Sequence, residues 1–127
     1  MAKSVSIDVL DAALAEIATS TKMTACATQP TTYTEAVTDN MLAEVTLVAG
    51  LDDTGFSAAA DDGTGRKVTI LQKATVEIIN TGTADHIALV DVTNTSLQYV
   101  TTCTNQALTD GGNVTFPAWD ISIAGPT

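Results

Sequence analysis

The chain has 127 residues, 45 % of them hydrophobic and 16 % charged, with a formal net charge of −10. That length predicts one domain able to bury about 65–70 % of the surface its unfolded chain exposes, and the hydrophobic content argues against disorder in spite of the charge. Four lysines and one arginine against fifteen acids leave no basic stripe to displace counterions from phosphate, so direct nucleic-acid binding and attraction to an anionic membrane are both disfavoured.

The first residues, Met1 to Asp8, lack the apolar run of a signal peptide, and no segment approaches the ~20 apolar residues of a membrane-spanning helix. A protein completed in the cytoplasm is expected, with Cys26 and Cys103 reduced small hydrophobes rather than a bridge. Without Cys-x-x-Cys spacing they offer a zinc ion too few ligands.

From Ser6 to Thr19, Leu10, Leu14 and Ile17 recur at steps of four and three among alanines. This predicts one amphipathic helix, with Ser6 as N-cap and Asp8 and Asp11 near its positive end. Beyond Thr19-Ser-Thr21 threonine replaces the helix formers, which favours strands. The organisation expected is an N-terminal helix or arm over 1–24 and a β domain over 25–127, together one structural unit. Pro30 makes Gln29-Pro-Thr-Thr-Tyr33 extended or turning. Leu42 to Val48 reads as a strand, and the acidic, small-residue stretch from Gly50 to Gly65 as an exposed loop with at most a brief ordered piece around Phe56.

Arg66 to Gln72 and Thr75 to Asn80 follow as strands, the first with Val68 and Ile70 on one face and Lys67 and Thr69 on the other. Ala84 to Val92 and Leu97 to Cys103 flank the turn Thr93-Asn-Thr-Ser96 as a hairpin. After the turn signal Asp110-Gly-Gly-Asn113, a last strand runs through Val114-Thr-Phe-Pro-Ala-Trp-Asp-Ile-Ser-Ile123. Pro117 cannot donate to a ladder, so this strand is expected at an edge or bulged, with Phe116, Trp119, Ile121 and Ile123 as core anchors and Asp120 wet. Six or seven strands then make a mainly β fold, a small antiparallel β-sandwich or barrel with one N-terminal amphipathic helix.

The chemistry-bearing residues are few. His86, the only histidine, reads as a half-exposed strand residue. Asp85 beside it would point to the opposite face. No activating neighbourhood surrounds Cys26, Cys103 or the hydroxyls. Asp52-Asp53 and Asp61-Asp62 sit in a Gly-rich loop but lack the alternating ligand pattern of a calcium loop. Gly63-Thr-Gly-Arg-Lys67 lacks the spacing of a phosphate-binding loop and leads into a strand. No catalytic residue, cofactor or metal is therefore expected, and the chain reads as a binding or structural module rather than an enzyme.

Several phrases occur together in order: Asp11-Ala-Ala-Leu14; Cys26 followed by Gln29-Pro-Thr-Thr-Tyr33 and Glu35-Ala36; Asp62-Gly63 leading to Arg66. They continue with Gly82-Thr-Ala-Asp-His-Ile-Ala-Leu-Val90, Ala107-Leu-Thr109 and Asn113-Val-Thr-Phe-Pro-Ala-Trp-Asp-Ile121. In these the chain resembles a family of small virion structural proteins of tailed bacteriophages. The resemblance spans nearly the whole chain and departs most between Val37 and Asp61. It implies assembly into the particle and transfers no functional residues.

A capsid decoration or cement protein is the reading expected, on the exterior of the virion head after synthesis in the host cytoplasm. Its partners would be the major capsid protein and itself. High net charge would keep the free subunit dispersed, and repeated sites would supply avidity. A homotrimer is expected, because ring symmetry closes. Leu10, Leu14 and Ile17 are the candidate interface if the helix is a clamp; otherwise the helix covers the open face of its own domain. A neck or tail component is the alternative, and a host-surface or glycan-binding module a weaker one, since aromatic residues make up only 4 % of the chain.

Overall fold

The computed structural model describes residues 4–51, 55–63 and 65–125. Among these residues, helix α1 (Ile7–Ile17) is followed by nine strands: β1 (Lys22–Cys26), β2 (Met41–Thr46), β3 (Ala60–Asp62), β4 (Gly65–Ile70), β5 (Lys73–Glu77), β6 (Gly82–Asp91), β7 (Ser96–Leu108), β8 (Asn113–Phe116) and β9 (Trp119–Ile123). All pairings are antiparallel, in the orders β2-β1-β6-β7, β3-β4-β9 and β5-β8. The fold is mainly β with one short N-terminal helix, and among the described residues the sheets do not close into a barrel.

Ser6 caps α1, its Oγ accepting from the Asp8 N–H at 3.2 Å. Leu10 and Leu14 face inward at 7 % and 0 % exposure, and Leu14 joins one core cluster with Met23, Val68, Ile70, Leu89, Phe116 and Ile121 from all three sheets. This corrects the idea of Leu10, Leu14 and Ile17 as a clamp surface. The first two are buried in the domain itself and Ile17 packs against the same cluster, so α1 covers the open face of its own sheets. A partly exposed fork of polar contacts adds to this. The Arg66 guanidinium donates to both Asp11 carboxylate oxygens, at 2.8 and 3.2 Å, and to Asp61 on β3.

In the acidic stretch after Gly50 the ordered piece expected around Phe56 is present, and the exposed strand β3 is added to it. Phe56 is fully buried and bridges Ile70, while Ser57 N–H donates to Thr69 O at 2.8 Å and Leu71 N–H to Gly55 O at 3.0 Å, extending the β4 ladder. Gly55 is needed there because a Cβ would lie 2.6 Å from the Val48 carbonyl oxygen.

The last strand divides in two. Pro117 and Ala118 break it, so β8 pairs with β5 whereas β9 pairs with β4. Phe116 and Ile121 are core residues at 3 % and 2 % exposure, while Trp119 and Ile123 are half-buried against them. The chain thus changes sheets at the proline, which lacks the N–H a continuing ladder needs. Trp119 on β9 meets Tyr99 on β7 with ring centroids 5.9 Å apart, an aromatic contact across the sandwich.

The outer face of the four-stranded sheet has a smaller core of Cys26, Ala36, Ala88 and Val90. A π-helical turn, Glu35–Asp39, lies over it. Glu35 accepts from the Thr31 N–H at 2.8 Å and from its hydroxyl at 2.9 Å, while Glu35 N–H donates to Thr32 Oγ1 at 3.1 Å. The paired contacts work as a capping box does.

Candidate binding surface

Cys26 and His86 are opposed across β1 and β6, so their side chains share the outer face of the sheet. The His86 Nδ1 lies 2.7 Å from Asp85 Oδ1. Strand alternation alone would separate those two neighbours. On β7, however, the register passes from Gln106 opposite Ala84 to Thr102 opposite His86, a bulge that leaves Asp85 without a regular partner and distorts the pleat. Carboxylate, imidazole and thiol are thus brought into one region, as a nucleophile would require.

Its thiol does not suit that role. Cys26 is fully buried beneath the helical turn, with Sγ donating to the Ala36 carbonyl oxygen at 3.7 Å and 3.4 Å from Thr24 Oγ1. Burial pushes its pKa up, against the lowering effect of the Thr24 contact, and Asp85 and Cys103 push it further the same way. The thiolate is disfavoured and a substrate has no access to it. Cys103, half-buried and free, also has a raised pKa, through desolvation first and Asp85 second.

The remaining candidates have structural partners. Asp91 is buried at the end of β6, where it accepts from the Thr93 and Asn94 N–H groups and from Asn94 Nδ2, closing the β6–β7 turn. Asp61 holds Arg66, and Asp62 is exposed on the three-residue β3; Asp52, Asp53 and Thr64 lie outside the described residues. Among the described residues no group of three or more His, Cys, Asp or Glu side chains is placed to hold a metal ion, and no helix is long and apolar enough to cross a membrane. Asp120 is exposed, accepting from the Thr69 hydroxyl at 2.6 Å, while the Trp119 Nε1 is buried without a partner. Trp119 as a whole is half-buried.

Two features remain open, and they adjoin. One is a cleft of about 250 Å³ between the inner face of the four-stranded sheet and β8, with walls that include Ala25, Ile87, Cys103, Leu108, Val114 and Phe116. Thr104, Gln106 and Thr115 supply its polar groups. The space is below the range typical of drug-sized ligands and fits a single aromatic or branched aliphatic group.

The other feature is β7, which ends the order β2-β1-β6-β7 and so, among the described residues, has one side of its backbone without a ladder. It is 13 residues long and none is charged, and Thr104 to Ala107 are all exposed. Sequence reading found the hairpin but not this edge, because strand order depends on contacts far apart in the chain. The lack of charge between Ser96 and Leu108 was the available signal. Compared with family models, curated proteins and solved structures, the chain matches none.

Proposed function

We propose that this chain is a non-enzymatic structural protein of a tailed-phage particle, a decoration or cement protein that binds the outer surface of the head and stabilises it. The observation that carries the reading is the division of polar groups. Arg66, Asp11, Asp61 and Asp91 hold elements together and the Cys26 thiol is sealed, whereas a long neutral strand and an adjoining apolar cleft stay open for contact. The resemblance of the ordered phrases to those of small virion proteins supports the particle as the setting. Many equivalent sites on a shell turn modest contacts into firm attachment. Its main partner is the major capsid protein. No cofactor, nucleic acid or membrane enters this reading.

Purified protein added to heads that lack it should co-sediment with them and raise the temperature at which they release their contents. An antibody against the chain should detect it in isolated heads. Detection in isolated tails alone would move the protein to the neck or tail. Selective glycan-array binding abolished by Trp119→Ala would replace the structural reading with host attachment.

A further inference from the structure

We propose that β7 is a self-pairing edge, through which two copies join antiparallel about a twofold axis normal to the four-stranded sheet. An open edge presents unpaired N–H and C=O groups to any compatible strand, and folded proteins ordinarily guard against this. The other edges here are guarded. Along β2, Ala43 bridges Ile78, and the Ile79 and Asn80 N–H groups donate to Leu42 O at 2.8 and 3.0 Å. The three-residue β3 carries Asp61 and Asp62, β9 carries Asp120, and the four-residue β8 runs into Pro117. Among the described strands of five or more residues, β7 alone has no charged side chain.

The neutrality selects the occupant. Two molecules of charge −10 repel, and like charges facing each other across a strand pair are destabilising, so copies approach at least cost where neither presents charge. An edge built for a basic segment would carry carboxylates, and one built for an acidic segment would carry lysines. The long neutral strand that matches β7 is β7 of a second copy. Threonines near its centre, Thr101 and Thr102, suit cross-strand pairing.

The register is narrow. The β6–β7 ladder shifts once beside Gln98 and again across Cys103 to Asn105, which leaves Tyr99 to Thr102 as the regular run between the irregularities. Successive side chains point to opposite faces, so the inner faces of two copies lie on the same side only if the axis passes through a residue, Val100 or Thr101. Such a pairing is isologous and closes at two copies, in place of the three expected from ring symmetry. It does not depend on the particle reading, because it concerns the free subunit.

Sedimentation equilibrium of the full chain over a dilution series is the test, with the same series run on Val100→Pro, Thr101→Pro and Thr102→Glu. The wild type should be a dimer that dissociates on dilution. Of the two proline variants, the one whose native N–H points away from β6 should be monomeric with an unchanged circular dichroism spectrum. Thr102→Glu sets two carboxylates near the axis of molecules that already repel, and should weaken the dimer about tenfold at low salt and less at high salt. That variant keeps the test decisive if both prolines disturb the fold. A wild type that stays monomeric at every concentration overturns the proposal. So does an oligomer that Thr102→Glu leaves unchanged at low salt, which would place the contact elsewhere.

Discussion

Helix α1 and strand β7 lie at the periphery of the fold, yet they have opposite fates. The helix has the sequence of an attachable element, with an apolar stripe and a polar face, and the structure fills that stripe from within: Leu14 is fully buried and Arg66 clamps Asp11 across 55 residues of chain. Strand β7 has an unremarkable hairpin sequence and is left open along its outer side. Amphipathicity predicts that a face is buried, not what buries it. An edge that can take a partner is marked less by apolar residues than by a missing guard.

The same kind of change should therefore have opposite consequences in the two regions. Leu14→Asp puts a carboxylate into the shared core and should cost more than about 4 kcal/mol, read as loss of the cooperative thermal transition. A folded Leu14→Asp protein would return the helix to the role of a detachable clamp. Phe56→Ala, which empties the core between β4 and the helix side, should cost about 3–5 kcal/mol by urea denaturation. Retention of wild-type stability would show that this segment is the loop its composition suggests.

Arg66→Ala should leave the β sheets folded and speed amide exchange in α1 and the short β3 selectively, since it removes the fork to Asp11 and the contact to Asp61 while the Leu14 contacts persist. Uniform acceleration in both regions would contradict the idea of a local latch. On the outer face, the Thr31 N–H and then its hydroxyl hold the Glu35 pKa below its ordinary value of 4.5. A lowered carboxyl pKa contributes stability that is complete above 4.5 and disappears as pH falls through the folded value. The Thr31 amide resonance should accordingly titrate with a midpoint below 4.5; a midpoint above it would mean the cap is not formed. Gln106→Lys, on the exposed part of β7, should change stability by less than about 0.5 kcal/mol, and a larger loss would mean that β7 is not open.

Local patterns were legible wherever one element decides its own conformation. The Ser6 cap, the Leu10–Leu14 stripe, the alternation of Val68 and Ile70 and the turn before Ser96 all follow from spacing and side-chain chemistry. Three features escaped because their cause lies elsewhere in the chain. An ordered piece around Phe56 was legible, but not its pairing with β4, which lies across loop-like residues. Pro117 was legible as an interruption but not as a change of sheet, since β5 and β4 lie 36 or more residues upstream of β8 and β9. The Asp85–His86 contact depends on a bulge in the facing strand. The turn over the outer face did leave a signal, Thr32-x-x-Glu35, the spacing of a capping box. For the candidate surface, the residues lining the cleft come from four strands and the corner at Pro117, so no single stretch could announce it.

The most direct test is hydrogen exchange on the protein free in dilute solution and bound to purified heads, read peptide by peptide. Attachment through the cleft predicts that the protein sediments with the heads and that peptides covering Asn113–Phe116, which wall it, gain protection, while those covering Ile7–Ile17 exchange as in the free state. Protein that remains in the supernatant, or protection gained at the helix and not at β8, would contradict it.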